Sequence, residues 1–192
     1  MTDIPRATVF LDLLAGGNVN EAFTFQLIPE APDAATAPAV LHGRLGDVVN
    51  ELAAANTQGC GVFVMVNRGD GVKRTGASSC RTNANVVGVR AVFVDLDGAP
   101  IKPVLSSSSP PNWVVQSSPG RWHAYWLVHD CRLDEFSRVQ AALAARFNGD
   151  PAVKDLARVM RIPGFAHQKA APFTSELYLP DQFDGIQEND DA

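Results

Sequence analysis

Two aspartates separated by one residue follow an apolar run near the middle of the chain. Residues 86–94 have the composition of a buried strand, and Asp95 and Asp97 end it. Because alternate side chains of a strand point to the same face, the two carboxylates are expected on one face, roughly 7 Å apart at Cα. Carboxylates at that distance repel each other, and Mg²⁺, Mn²⁺ or Ca²⁺ would relieve the repulsion. The alternative is a strand that ends in a solvated polar turn.

A second chemistry-bearing segment, SSPGRWHAYW, covers residues 117–126. Its turn, with Ser117, Ser118 and Gly120, offers backbone N–H groups to an anion. Arg121 and His123 alternate onto one face of the strand that follows, where both could contact a phosphate. The alternative for His123 is a buried, hydrogen-bonded strand histidine.

The third segment, residues 149–161, contains two further aspartates among basic residues. Either Asp150 or Asp155 could supply a third carboxylate ligand. Asp150 also has the position of a helix N-cap or turn residue. Asp155 lies close to Arg158 and Arg161 in sequence, so its alternative role is a structural salt bridge.

The charge of the chain is unevenly distributed. The net charge is −5, but six acidic residues and no Lys or Arg lie between residue 176 and the end. Local patches, rather than net charge, create phosphate sites. Two basic stretches, residues 68–81 and 151–172, therefore predict contacts with phosphate, although solvated loop charge is the alternative for Lys73 and Arg74. The polar candidates in and beside these stretches are Asn67, Arg68, Lys73, Arg74, Arg81, Lys154, Arg158, Arg161, His167 and Lys169.

The elements that position these residues follow from periodicity and turn signals. Helical periodicity predicts helices over residues 8–15, 44–56 and 133–147. Alternating or apolar runs predict strands over residues 21–28, 62–66, 86–97, 113–116 and 122–128, the last two as a hairpin. Residues 67–85 and 106–111 are expected to be loops, the first of them long and mobile. This order indicates an α+β fold with an antiparallel sheet covered on one face, not a doubly wound parallel sheet.

Bulk properties limit the class of protein. The 192 residues suit one globular domain, which we expect over residues 1–179, with an acidic, disordered tail or linker over residues 180–192. No apolar stretch approaches the roughly 18 residues of a membrane span, and the N-terminus does not resemble a signal peptide. Three widely spaced cysteines favour free thiols in a reducing compartment. A cytoplasmic protein without a membrane partner is therefore expected.

Taken together, the three segments resemble a known family. VRAVFVDLDG, SSPGRWHAYW and DLARVMRIPGFAHQK, in this order, are similar to the motifs of RepB-type DNA primases. These are plasmid and phage members of the archaeo-eukaryotic primase superfamily, which includes primase-polymerases. The resemblance covers about residues 23–173. It implies an RRM-like antiparallel sheet with helices on one face, beside a smaller α/β unit.

The resemblance also implies roles for individual residues. Asp95, Asp97 and Asp155 would be catalytic and would bind Mg²⁺ or Mn²⁺, the choice of Asp155 over Asp150 resting on its place before ARVMR. The implied partners are single-stranded DNA, an NTP or dNTP, and a replicative helicase domain or protein, in plasmid or phage replication. The implied nucleotide-binding residues are Ser117, Ser118, Gly120, Arg121, His123, Arg158, Arg161 and Lys169. The candidate template contacts, which come from the basic stretches and their neighbours, are Asn67, Arg68, Lys73, Arg74 and His167.

Two other functions are compatible with parts of the pattern, and a third is not. VFVDLDG also resembles the first motif of haloacid-dehalogenase-like phosphatases, in which the first aspartate is a nucleophile. A rolling-circle nuclease needs a His-x-His metal pair, which the segment around His123 does not supply. A non-catalytic module that binds single-stranded nucleic acid remains an alternative to a primase.

Overall fold

Two four-stranded antiparallel sheets form the framework of the molecule, in a computed structural model that describes residues 2–187. The strand order of the first sheet is β2-β1-β3-β9, and that of the second is β12-β7-β8-β6. The strands of this range are β1 (Phe23–Pro29), β2 (Ala39–Gly43), β3 (Cys60–Met65), β4 (Arg68–Gly69), β5 (Val86–Gly88), β6 (Ala91–Asp97), β7 (Trp113–Ser118), β8 (Arg121–Leu127), β9 (Val159–Arg161), β10 (Ala166–His167), β11 (Phe173–Thr174) and β12 (Glu176–Tyr178). Strands β4 with β5, and β10 with β11, form two-stranded ribbons. The predicted α+β class with antiparallel sheets is confirmed.

Within residues 2–187, four α-helices accompany these strands: α1 (Ile4–Leu14), α2 (Leu45–Thr57), α3 (Lys102–Leu105) and α4 (Leu133–Phe147). The bounds of α4 are those that its periodicity predicts. Helix α1 begins four residues earlier than predicted, because the Asp3 side chain accepts a hydrogen bond from the Arg6 N–H at 3.0 Å and Pro5 occupies the first turn. The short helix α3 and strand β2 were not predicted. Among residues 2–187, no helix combines the length and apolar character needed to cross a membrane.

One large hydrophobic cluster joins the two sheets through α1. The ring of Phe10 in α1 lies 5.5 Å from the ring of Tyr125 in β8 and 6.3 Å from that of Trp113 in β7. The same buried cluster includes Phe25 of the first sheet. The N-terminus of α1 is tied to the region after β9, because the Asp3 N–H donates to the Gly164 carbonyl at 2.7 Å. The two sheets therefore pack as one body.

One expectation about the middle of the chain is wrong, and another is correct only in part. Residues 86–94 do not form one strand, because the chain leaves the ladder between β5 and β6, where the side chain of Arg90 is buried against Glu21. Residues 67–85 form a long loop as predicted, except for β4 and a 3₁₀ turn at Asn83–Asn85. Asn85 is fully buried and donates hydrogen bonds at 2.7 Å to the Asp70 carboxylate and to the Val72 carbonyl. Internal hydrogen bonds hold this segment in place.

The expectation of disorder after residue 179 is wrong for residues 180–187. Pro180–Gly185 forms a 3₁₀ helix, and Ile186 is 8% exposed and packs in a cluster with Leu96 and Val104. Two apolar side chains in this segment, Phe183 and Ile186, are enough to bind it to the core despite its acidic composition. The rest of the predicted tail, residues 188–192, lies outside the described residues.

Candidate active site

The carboxylate pair lies on a strand whose neighbour carries the predicted phosphate-binding residues. Strand β6 pairs antiparallel with β8, so that Asp95 is opposite His123 and Asp97 is opposite Arg121. The Asp97 carboxylate forms an ion pair with Arg121, and the Asp95 Oδ1 lies 3.7 Å from the His123 Nε2. Because residues at alternate positions share a face, these four side chains form one polar surface, as their spacing predicts.

The predicted hairpin is also present, although its turn is shorter than expected. Strands β7 and β8 pair antiparallel, with a register shift between Gln116 and Ser118. Ser117 and Ser118 belong to β7 and are buried, so that Pro119 and Gly120 alone form the turn. The positive φ of Gly120 (70°) is one that glycine adopts without strain.

Asp95 is under electrostatic strain. Burial and the nearby charge of Asp150 raise the pKa of its carboxyl group from 3.8 to about 6, against the opposing charges of Arg121 and Arg158. At neutral pH the group is ionised in surroundings that disfavour its charge. A carboxylate in this condition gains the most from a bound cation, which removes the cost of the charge.

His123 is neutral at physiological pH. Its ring is 6% exposed, and its Nδ1 lies 3.4 Å from the hydroxyl of Tyr125. Burial, reinforced by the charge of Arg161, lowers the pKa of His123 to about 3. The imidazole is therefore the buried strand histidine that the sequence offered as one alternative, and it also faces a cleft, as a phosphate contact would require.

A cleft of about 640 Å³ opens over this surface and brings together nine of the residues predicted from the sequence. It is also lined by four residues that were not predicted, namely Phe63, Pro119, Ala170 and Ala171. Both sheets and the segment after β10 contribute to its walls. The predicted residues in the cleft are Asp95, Asp97, Ser117, Ser118, Arg121, His123, Arg161, His167 and Lys169.

Arg161 enters the cleft from the edge strand of the first sheet. It lies opposite Phe63 in the β3–β9 ladder, and its guanidinium carbon is 4.6 Å from the centre of the Phe63 ring. Its terminal nitrogens donate to both carboxylate oxygens of Glu30, at 3.1 and 2.5 Å. The cation is thus held between an aromatic face and a carboxylate.

The geometry favours Asp150 over Asp155 as the carboxylate beside the pair. The Asp150 N–H donates to the Asp95 carbonyl at 2.9 Å, and its charge contributes to the raised pKa of Asp95. This contact needs glycine at position 149, where a Cβ would lie 2.3 Å from a methyl group of Val94. Asp155 instead forms an ion pair with Arg158 at 2.6 Å. Neither aspartate lines the cleft, and the Asp150 Oδ1 accepts a hydrogen bond from the Ala152 N–H at 2.8 Å.

Several other predicted residues also lie away from the cleft. The side chain of Asn67 is 1% exposed and donates to the Leu156 carbonyl at 3.0 Å, which disfavours a template contact. Arg158 donates to the Ala152 carbonyl at 2.6 Å. Arg68 and Arg74 form ion pairs with Glu21 and Asp70, whereas Lys73 is exposed on the surface.

The residues that the sequence analysis missed have no local signal. Glu30 stands in a Pro/Ala-rich loop, 131 positions before its partner Arg161. Phe63 has the pattern of an ordinary strand residue. The glycine that follows Cys60 in GCGVFV was the nearest available sign, because a Cβ on Gly61 would lie 2.6 Å from the Glu30 carboxylate.

The donor set suits a hard divalent cation that also binds substrate. Among residues 2–187, no group of three or more His, Cys, Asp or Glu side chains is arranged to hold a metal ion. Mg²⁺ is usually bound by one or two carboxylates together with substrate phosphates and water, so the oxygen ligands of Asp95 and Asp97 fit this mode. The antiparallel surroundings of β6 differ from the parallel sheet of a haloacid-dehalogenase-like phosphatase, and that alternative is wrong.

Comparisons with known proteins agree with the fold. Residues 43–183 match the RepB DNA-primase N-terminal domain. The AEP domain of the cyanophage S-2L primase-polymerase is similar in structure, with 20% sequence identity, a TM-score of 0.70, and coverage of 96% of this chain and 98% of that one. Primase RepB′ aligns with a TM-score of 0.64 and 18% identity over 91% of this chain and 55% of its own. The catalytic domain of RepB′ in complex with initiator DNA gives a TM-score of 0.61 and 18% identity over 90% and 84% of the two chains. No curated protein matches the sequence.

Proposed function

The chain belongs to the RepB DNA-primase N-terminal domain family, and we propose that it is a template-dependent nucleotidyltransferase that makes primers on single-stranded DNA. The observation that carries the proposal is the convergence of two carboxylates, a neutral histidine and several cations in one cleft. Carboxylates that bind a metal ion beside cations that bind phosphate are the groups that nucleotidyl transfer needs. The similar RepB′ structure with initiator DNA is consistent with this assignment.

Asp95 and Asp97 would hold Mg²⁺ or Mn²⁺ in this reaction. A pair of such ions, when bound, lowers the pKa of the attacking 3′-hydroxyl and neutralises charge on the leaving pyrophosphate. Asp150 is the better candidate for a third carboxylate, because its charge acts on the Asp95 carboxyl group and its backbone is hydrogen-bonded to that of Asp95. Asp155 is the weaker one, because its carboxylate is already paired with Arg158.

The protein's own groups would bind and orient the triphosphate. Arg161 and Lys169 approach from one side of the cleft, and Arg121 and His123 from the other. Held between them, the α-phosphorus would lie in line with the 3′-oxygen, which forms the new bond as the bond to pyrophosphate breaks. His123, being neutral, would donate one hydrogen bond without adding charge.

Ionic contacts with phosphates would hold the template, so binding should weaken steeply as salt increases. Lys73 and Lys169 are exposed cations that can make such contacts. Either an NTP or a dNTP fits the chemistry, and a helicase domain or partner protein would open the duplex ahead of the primase in plasmid or phage replication.

Primer synthesis on single-stranded DNA, with NTPs or dNTPs and Mn²⁺ or Mg²⁺, tests the proposal. We expect labelled products from the wild type and none from the Asp95→Ala/Asp97→Ala double variant. Asp134→Ala is the matched control, because Asp134 is an exposed aspartate at the start of α4, paired with Arg132 and outside the cleft. Products that persist in the double variant would refute the proposed metal site.

A further inference from the structure

Glu30 places a carboxylate group where three hydrogen-bond donors converge. Its side chain is 1% exposed. The two terminal nitrogens of Arg161 donate to its two oxygens, and the Gln168 N–H donates to Oε2 at 3.1 Å. Glu30 precedes residues 43–183, which match the family, and it does not line the cleft.

The hydrogen bonds that Glu30 accepts come from two separate elements that contribute residues to the same side of the cleft. Arg161 is the last residue of β9, whereas Gln168 stands between His167 and Lys169, two residues that line the cleft. One carboxylate thus fixes the distance between the Arg161 cation and the segment that carries Lys169.

Asn56 provides a second anchor for the same segment. Its side chain is almost fully buried and forms a pair of hydrogen bonds with the backbone of Ala166, at 2.8 and 3.0 Å. The Gln168 side chain donates to the Asn56 carbonyl at 2.8 Å. The segment therefore has defined partners on both sides of His167.

Packing leaves the Arg161–Glu30 pair little freedom. The Phe63 ring covers the guanidinium group at 4.6 Å. A Cβ on Gly61 would lie 2.6 Å from the Glu30 carboxylate and 2.8 Å from the Phe63 ring. The cation is therefore held in one orientation before any ligand enters the cleft.

We propose that Glu30 is a positioning residue that fixes Arg161 and the segment around Gln168 for binding the triphosphate of the incoming nucleotide. This inference rests on the proposed function. A guanidinium group held in place loses less conformational freedom when it binds phosphate, so Glu30 should act on nucleotide affinity rather than on the chemical step.

Neither of the two conservative replacements can reproduce this arrangement. Glutamine presents one oxygen and one NH₂ group to three converging donors, so at least one donor would face another donor. Aspartate keeps the charge, but its carboxylate is one methylene too short to contact all three. A role in positioning predicts that both variants bind nucleotide poorly, whereas a role as a mere counter-charge predicts a normal Glu30→Asp variant.

The chain offers a closely matched control. Glu21 forms an ion pair with Arg90, both side chains are at most 9% exposed, and the Arg90 guanidinium carbon lies 4.5 Å from the centre of the Phe23 ring. This triad repeats the chemistry of the first one, but none of its members lines the cleft. Glu21→Gln and Glu21→Asp therefore reproduce the loss of a buried ion pair without disturbing the candidate site.

Urea unfolding first shows which of the four variants are folded. The folded variants and the wild type are then compared in two assays: primer synthesis, and calorimetric binding of inorganic tripolyphosphate in the presence of Mg²⁺. For both Glu30 variants we expect KM for the nucleotide to rise about tenfold, the effect of losing one hydrogen bond to a charged group, with kcat changed by less than about threefold. Tripolyphosphate affinity should fall by the same factor. The Glu21 variants should keep wild-type KM and affinity. If Glu30→Gln does not fold, Glu30→Asp decides, because it keeps the buried charge compensated.

Three results would overturn the positioning role: folded Glu30 variants with wild-type KM, equal changes in the Glu21 variants, or a lower KM in Glu30→Gln beside a normal Glu30→Asp. A wild type that binds no tripolyphosphate would overturn it as well. If the affinities of wild type and variants for tripolyphosphate fall in the expected order but the wild type makes no primer, the proposed function is refuted and the role of Glu30 stays supported.

Discussion

Replacement of Asp95 by asparagine should make the metal-free protein more stable while it removes activity. The pKa of Asp95 is raised from 3.8 to about 6 by burial and by Asp150. Because the pKa is higher in the folded protein than in the unfolded chain, protonation of Asp95 stabilises the fold. This stabilisation is complete below pH 3.8 and is lost as the pH rises through about 6. The difference corresponds to at most about 3 kcal/mol at pH 7.

Asparagine carries no charge at any pH and therefore avoids this cost. The Asp95 side chain is 27% exposed, which reduces the expected gain in unfolding free energy to about 2 kcal/mol at pH 7. Urea unfolding in the presence of a chelator measures it, in wild type and Asp95→Asn, at several pH values. We expect the difference between the two proteins to shrink steadily as the pH falls and to be nearly absent at about pH 4.

Asp97→Asn is the control for this measurement. Asp97 is 58% exposed and paired with Arg121, so its replacement should give no comparable gain in stability. Both variants should lose primer synthesis. An Asp95→Asn protein no more stable than the wild type at pH 7, or a gain that is the same at pH 7 and pH 4, would refute the reasoning about Asp95.

Three further predictions concern the surroundings of the cleft. Gly61→Ala should lower the free energy of unfolding by about 1–3 kcal/mol, because the added Cβ would overlap the Glu30 carboxylate. Gly46→Ala is the control, because a Cβ there would have no atom within 4 Å, and it should not lower this free energy. Thermal unfolding of the two variants measures the difference. Asp150→Ala should reduce primer synthesis about tenfold or more and Asp155→Ala much less, and the reverse order would restore Asp155 as the third carboxylate. Burial alone would raise the pKa of Glu30, but the hydrogen bonds and charge of Arg161 lower that pKa below 4.5. The stability that the ionised Glu30 contributes is therefore present above pH 4.5 and is lost at lower pH. Glu30→Gln should therefore be less stable than wild type at pH 7, and urea unfolding should show the gap closing below about pH 4.5, while a gap independent of pH would contradict this.

Local sequence patterns were sufficient to predict the part of the site that is formed by the β7–β8 hairpin and the neighbouring strand β6. The two-residue period of a strand places Asp95 and Asp97 on one face, and the same period places Arg121 and His123 opposite them. Helix α4 was predicted to the residue because its apolar face repeats without interruption. These features depend on neighbours in the sequence, which a pattern can record.

Features that depend on distant partners could not be predicted in the same way. Arg90 interrupts an apolar run and is buried there because it pairs with Glu21. That partner lies 69 positions earlier, so no local pattern records it. The choice between Asp150 and Asp155 depends on how closely Gly149 packs against β6, and spacing alone is compatible with either residue. Strand β2 has intermediate burial throughout and no alternation, so it becomes a strand by pairing with β1.

The division of the cleft between two sheets also determines when the site can form. The hairpin of β7 and β8, with β6 beside it, brings the aspartates and His123 together from within about forty residues of chain. Arg161 joins them only when β9 pairs with β3, which lies about a hundred residues earlier. During synthesis from the N-terminus, the carboxylate side of the cleft can therefore fold before the Arg161 side exists. Capacity to bind nucleotide should thus appear late and abruptly, as one of the last events in the maturation of the chain.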